Sequence, residues 1–442
     1  MAFAVSTRYN FLSRFYKLAS VSVLSNMMIP LAGMVDIAFI GHLPDLHDLA
    51  GVIVATILFD YLYRVLKFLR ASVNALTAQA VGLNDSKAVL LTGIRSSLIA
   101  LGIGLVILLL QYPLQKIGFS MLSGSPVIES SGIDYFNARI WGAPAVLLNI
   151  VLIGWFMGRE MNGIVLLMSL IGNGSNIVLD YVAVVKLGWN SMGVGLATAL
   201  SQYLALFAGL VCVGFSIPWQ TLLSVFNEVF DWVALKDIVV LKSNILIRFF
   251  VLSSTYAIFT SISATMGTAT LAENGLLLQI VLLSQFTIQG VGMTTETLTG
   301  NFSGKRNTEQ MSELLSISVL TSLPIALAFA AVSILFPDPV FGLLTSHTEV
   351  SKYISNYSIW LLPLLGFTAI AFMLEGYFIG LKEGVTLRNA VLLAFGLGFL
   401  PLAITAWYFH HNPLLWMSLV SYMTIIMVVL GIQLPRTFGS QN

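Results

Sequence analysis

Apolar runs close to the ~20 residues needed to cross a bilayer recur along the chain, each closed by a short polar stretch. They predict twelve helices at approximately 13–40, 48–81, 88–112, 131–157, 161–186, 192–217, 237–265, 271–302, 311–336, 351–380, 386–409 and 413–434. Several exceed the minimum, so tilt or extension beyond the hydrocarbon is expected. Pro30, Pro144 and Pro363 fall inside these runs and are candidate kinks. The polar break at 219–236, with SVFNEVFDWVALKD around it, reads as a linker between a first lobe at 1–218 and a second at 237–442.

The pattern repeats across that break. LTAQAVG at Leu76–Gly82 returns as LTGNFSG at Leu298–Gly304, and GWFMG from Gly154 returns as GYFIG from Gly376, both shifted by 222 residues. Ile140, Trp141 and Pro144 return as Ile359, Trp360 and Pro363 at a shift of 219, which a three-residue gap reconciles. Several ordered matches at nearly one offset indicate duplication. Six spans per half give both halves the same orientation, so the halves should be related by a pseudo-two-fold axis along the membrane normal. The expected fold class is therefore an all-α polytopic membrane protein with twelve transmembrane helices in two six-helix lobes.

Composition agrees with this solvent. The 442 residues are 57% hydrophobic and 9% charged, with a mean hydropathy of +0.90, against roughly 25% charged residues in an ordinary soluble domain. A net charge of +1 gives no reason to expect a nucleic-acid partner, and the single Cys212 excludes an intramolecular disulfide. MAFAVSTRYNFLSRFYK leads into an apolar stretch without a small-residue cleavage signal and is taken as the first span. Lys87, Arg159, Lys236, Lys242, Lys305, Arg306, Lys382, Arg388 and Arg436 gather on alternate connections, whereas the opposite loops hold only Lys116, Lys186 and Lys352. By the positive-inside rule both termini are cytoplasmic, most simply in a plasma (inner) membrane, and the chain is expected to be monomeric.

With so few polar positions in the runs, each one raises a question. A charge at bilayer depth costs roughly 2.5–3.5 kcal/mol on insertion scales and is kept where a cavity, a partner or a proton offsets it. Asp36 interrupts MIPLAGMVDIAFIGHL, and Asp180 lies at similar depth in the fifth run, six residues before Lys186. Asn176 stands one helical turn from Asp180 on the same face. Such a group could bind a proton, or sodium at Asp36, Asp180 and Asn176. Glu296 and Glu375 are embedded in the second half, where they could couple ions or pair with Arg248 or with each other. Asp60, Arg64 and Lys67 fall within about 60° of one another on an ideal helix, forming one charged stripe, and Arg70 is a further candidate cleft charge. That stripe reads either as an internal Asp60–Arg64 ion pair or as a lining for an anionic or zwitterionic group.

VDIAFIGHL, LRASVNALTAQAVG, RIWGAPAVLLNIVLIGWFMG, NGSNIVLDYVAVVKLGWNSMGVGLATALSQY and LEGYFIGLKEGVTLRNA together resemble the multidrug and toxic compound extrusion (MATE) family, in its DinF-like branch. The resemblance implies an exporter that exchanges a small organic solute for protons or sodium by alternating access, with no cofactor beyond the coupling ion. Carried over by position, the family's functional carboxylates fall on Asp36 and Asp180, with polar neighbours at Asn176, Thr198 and Tyr135. Acidic residues at the places of Glu296 and Glu375 also occur in that pattern. Arg70 fits it, whereas Arg64 and Lys67 depart from it. A lipid or lipid-linked precursor flippase of similar architecture is the alternative, because the basic residues of helix 2 could receive phosphate. A membrane-embedded enzyme is disfavoured, since the sequence has no Walker loop, no HExxH and no Cys/His cluster.

Overall fold

The computed structural model describes residues 11–40, 46–121, 126–217, 221, 225, 228–342 and 357–439, with the side chains of 29, 31–40, 46–49, 121, 126–127, 232–242 and 438–439 left aside. Among these residues every regular element is helical. Ten helical stretches are long and apolar enough to cross a membrane, and the hydrophobic runs of the first two expected spans, which include residues outside the described set, bring the number to twelve. The helices of the first half are α1 (Leu12–Ile40), α2 (Leu46–Leu66), α3 (Phe68–Gly82), α4 (Ser86–Leu109), α5 (Gln111–Met121), α6 (Pro126–Arg139), α7 (Ala143–Gly158), α8 (Asn162–Asp180) and α9 (Ser191–Ser216). Those of the second half are α10 (Trp232–Thr265), α11 (Thr268–Gly304), α12 (Thr308–Leu335), α13 (Pro337–Gly342), α14 (Leu361–Gly380), α15 (Gly384–Leu393), α16 (Leu400–Phe409) and α17 (Asn412–Gly439).

Several expected helices prove to be interrupted, each for a local reason. The second run breaks at Lys67, whose N–H bonds the Arg64 carbonyl at 3.4 Å in a turn between α2 and α3. In the fourth run a 3₁₀ turn over Ile140–Gly142 precedes α7, which takes Pro144 in its first turn where the missing N–H costs nothing. Pro30, by contrast, lies inside an unbroken α1. π-helical turns at Tyr181–Lys186 and Ala394–Phe399 follow α8 and α15.

Contacts divide the chain into one unit of Met27–Ile238 and another of Val239–Asn442 joined by Met1–Asn26. The division thus differs from the expected one at both ends of the first lobe. The opening of α1 belongs with the second half because it packs on α11. Arg14 Nη2 donates to Asn301 Oδ1 at 3.1 Å, and Asn26 Nδ2 donates to the Phe286 carbonyl at 2.6 Å. A Cβ on Gly290 would sit 2.5 Å from Val23 Cα, so the two backbones touch. In the first unit the expected linker is anchored to α4: Arg95 donates to the carbonyls of Val229 at 3.1 Å and Glu228 at 2.5 Å. Lys87 pairs with Glu228 at 2.6 Å, and Val225 and Val229 are buried.

The duplication read from sequence is present as geometry inside each unit. A Cβ on Gly154 would lie 2.5 Å from the Arg70 carbonyl, and one on Gly158 would lie 2.8 Å from that of Asn74. At the shift of 222, Gly376 meets the Gly292 carbonyl at 2.6 Å and Gly380 meets that of Glu296 at 2.6 Å. The turns agree too. Asn84 and Arg306 both have φ 57°, while Glu160 and Lys382 have φ 60° and 63°. Each is the left-handed residue that closes a helix, with the next N–H bonding five residues back. Asp85 and Asn307 then cap the helices that follow, accepting from Ala88 N at 2.9 Å and Gln310 N at 3.1 Å.

Candidate functional site

In the first unit, α8 ends on Asp180, which is fully buried within the spanning stretch Asn162–Lys186. Asn176, also buried, donates from Nδ2 to Asp180 Oδ2 at 2.9 Å, the i,i+4 contact that the spacing implied. The π turn begins at the next residue and widens the backbone beside the carboxylate, a feature frequent at functional sites. Thr198 on α9 uses its hydroxyl proton on its own helix, donating to the Val194 carbonyl at 2.9 Å. The side chain of Asp36 lies outside the described residues, as do those of His42, His47 and His347. Among the described residues no group of three or more His, Cys, Asp or Glu side chains gathers as for a metal ion, and a sodium site involving Asp36 falls outside them.

Tyr135 belongs to a different cluster. Helices α2 and α6 approach until a Cβ on Gly51 would lie 2.6 Å from the Gly132 nitrogen. That contact brings Phe59 and Tyr63 of α2 against Tyr135, Phe136 and Arg139 of α6. Phe59 stacks on Phe136 with centroids 5.1 Å apart and on Tyr63 at 5.8 Å. The Arg139 guanidinium carbon lies 4.6 Å from the Phe59 ring centre, and Arg139 Nη1 donates to Tyr135 Oη at 2.6 Å. Thr56 Oγ1 donates to the same oxygen at 3.3 Å. Arg139 was not among the sequence candidates. Its only sequence signal is its place one turn after Tyr135, and the polar DYFNAR around it disguises it as a helix-end charge.

The charged stripe of helix 2 passes through the turn at Lys67, whose ammonium lies within electrostatic reach of Arg64, Arg70 and Asp60. Asp60 is exposed and Arg64 half-buried, and among the described residues no ion pair joins them. Arg70 is buried at the crossing with α7, its Nη1 3.9 Å from Met157 Sδ. It therefore packs inside the lobe.

In the second unit Arg248 of α10 grips Glu375 of α14 with both arms. Nε donates to Oε1 at 3.0 Å and Nη2 donates to Oε2, with both side chains 4% exposed. The guanidinium also lies over Phe249 and Phe372, at 4.5 and 5.7 Å from the ring centres. Of the alternatives open for Glu375, pairing with Arg248 is the one formed. Glu296 is buried on α11 at the glycine crossing. Near the other end of the same helix Asn274 closes a polar network, donating to Ser263 and Asn412 at 2.8 Å each and accepting from Trp416 Nε1 at 2.9 Å.

The MatE family model matches residues 22–182 and again 245–407, once in each repeat. DNA damage-inducible protein F of Escherichia coli is 29% identical over 412 residues, covering 93% of this chain and 89% of that protein. A probable multidrug resistance protein NorM of Thermotoga maritima is 25% identical, covering 79% of this chain and 76% of its own. A multidrug resistance MATE family transporter of the MOP superfamily, solved facing outward, superposes with a TM-score of 0.87 at 18% identity, covering 97% and 96% of the two chains. Because one family model accounts for most of both halves, the chain belongs to the MatE family of multidrug efflux transporters, integral membrane proteins of two six-helix lobes.

Proposed function

We propose that the protein is a secondary active exporter that exchanges a small organic solute for protons or sodium by alternating access, with Asp180 and Asp36 as coupling carboxylates of the first lobe. The observation that carries this reading is a fully buried carboxylate in a spanning segment, held by the Asn176 amide at the start of a π turn. A carboxylate removed from water favours its protonated or cation-bound form over the bare charge. It can drive transport when two conformations of the protein bind that ion with different affinity. In the sodium alternative, the oxygens of Asp36, Asp180 and Asn176 would ligate the cation. Asp36 enters through its place in the first span and the family resemblance, and Thr198 and Tyr135 enter through the resemblance alone.

In the second lobe Glu375 is held by Arg248, which favours Glu296 as any further coupling group. The reading places both termini in the cytoplasm and the protein in a plasma membrane.

The test is transport of ethidium and of carboxyfluorescein into proteoliposomes under an imposed pH gradient and, separately, a sodium gradient. Asp180→Asn keeps the volume and most hydrogen bonding while removing the charge switch. It should reduce gradient-driven flux to the liposome background in protein that still folds and binds dye. Asp36→Asn should do the same, with the double variant little worse than either, because groups serving one step are not additive. Normal gradient-driven flux by both single variants would refute the assignment.

A further inference from the structure

The cluster around Arg139 contains donors without matching acceptors. Arg139 lies inside the spanning stretch Ile128–Gly158, eleven residues from its start. Among the described residues no carboxylate lies within 4.0 Å of its guanidinium, and its polar partner is the neutral Tyr135 hydroxyl. Ring faces soften the isolation of the charge, since a cation over an aromatic ring is attracted by the quadrupole. They neutralise nothing. Tyr135 Oη accepts from both Arg139 and Thr56, so its own proton is directed elsewhere. Tyr63, stacked on the same Phe59 ring and within the electrostatic reach of Arg139, has a buried hydroxyl with no hydrogen-bond partner among the described residues. A buried polar group of that kind costs about 1–3 kcal/mol when left unpaired.

We infer that Arg139, Tyr63 and Tyr135, gathered around the Phe59 ring, form a receptor in the first lobe for an anionic oxygen group, a carboxylate or a phosphate. The missing component is an acceptor. An anionic oxygen would accept from the free guanidinium edge, from Tyr63 Oη and from the Tyr135 proton. Asp60, one residue along α2, acts on Arg139 through space, but it is exposed and lies beyond 4.0 Å from the guanidinium, so the hydrogen-bonding place is not filled by it. Arg70 is buried at the crossing with α7, and Arg139, over the Phe59 ring, is the cation that this cluster offers to the anionic or zwitterionic cargo that the helix 2 stripe suggested.

This inference names a substrate class for the exporter proposed above and rests on that reading only for its physiological meaning. Its test is equilibrium binding, which requires no coupling ion. Failure of ion-driven transport with retained dye binding would therefore count against the exporter reading and leave the receptor standing. Fluorescence anisotropy of carboxyfluorescein, with ethidium as the cationic comparison, is measured on the full-length protein in detergent. Arg139→Gln should weaken carboxyfluorescein about tenfold or more, as expected for loss of a charge-assisted bond, and leave ethidium within about twofold. Tyr63→Phe keeps the stacked ring and should weaken carboxyfluorescein about threefold, again without affecting ethidium. Should Arg139→Gln fail to fold, Tyr63→Phe decides alone.

Two further titrations separate the sources of the anionic group. Displacement of carboxyfluorescein by phosphatidylglycerol but not phosphatidylcholine would assign the receptor to a lipid headgroup. Displacement by benzoate with no effect of either lipid would assign it to a soluble solute. The inference is overturned if wild-type protein binds ethidium but not carboxyfluorescein, if Tyr63→Phe leaves carboxyfluorescein affinity unchanged, or if the variants weaken both dyes in parallel.

Discussion

At the scale of single residues, burial and pairing separate the carboxylates that the sequence could only place side by side. Asp180 and Glu375 are both embedded acids, yet one is held by an amide and the other by a two-armed guanidinium. Removing one partner of a buried pair leaves an uncompensated charge, typically at a cost of about 3–5 kcal/mol. Arg248→Met and Glu375→Leu should each lower the thermal unfolding midpoint of the detergent-solubilised protein by an amount of that order. The double variant should recover most of the loss, because apolar groups of similar volume can replace a buried pair. A double variant as unstable as the sum of its parents would mean that the two side chains act independently. The i,i+4 spacing made the Asn176–Asp180 contact legible in the sequence. The Arg248–Glu375 pair joins residues 127 positions apart, which no local pattern encodes.

At the scale of elements, glycine positions decide how closely helices cross, and identical substitutions should act in opposite directions. Alanine at Gly154 or Gly376 would place a methyl 2.5 or 2.6 Å from a backbone carbonyl of the facing helix. Helices must then move apart, and overpacking of this kind costs about 1–3 kcal/mol. A methyl at Gly174 on α8 would meet nothing within 4 Å, so Gly174→Ala should instead stabilise by about 0.5–1 kcal/mol through its helix propensity. Thermal melts of the three variants in one detergent would compare them directly, and equal destabilisation by all three would undo the assignment of a close crossing. The repeat itself was readable from sequence at these positions. The helix break at Lys67 was not, because no proline or glycine marks it and the spacing of Asp60, Arg64 and Lys67 fits one continuous helix.

At the scale of the whole molecule, the arrangement of basic residues predicts which ends of the helices face the cytoplasm. Exposed Asn190 precedes α9, and exposed Lys305 follows α11, on connections assigned to opposite sides. In a Cys212→Ser background, cysteine at 190 should react with a membrane-impermeant maleimide in intact cells, whereas cysteine at 305 should react only after permeabilisation. Labelling of both from outside would overturn the orientation. The two contact units give the linker and the first span roles that the sequence left open. Residues 11–26 pack with α11 of the second half, and the 228–229 segment is fastened to α4 by Arg95.

By itself the sequence determined the solvent, the helical class, the duplication and the family, because each is written in local composition or in matches along the chain. Apolar runs must satisfy their backbone internally within lipid, which makes the helix the only choice for separate spans. The α-helical period likewise fixed the Asn176–Asp180 face. What only the tertiary structure decided are contacts between distant residues: the Arg248–Glu375 pair, the docking of residues 11–26 on α11, and the meeting of Arg139 with Phe59 and Tyr63. These depend on which helix faces approach. In lipid, where apolar side chains on every face look alike to the solvent, that choice rests on small residues and buried polar groups, whose partners only the folded chain brings together.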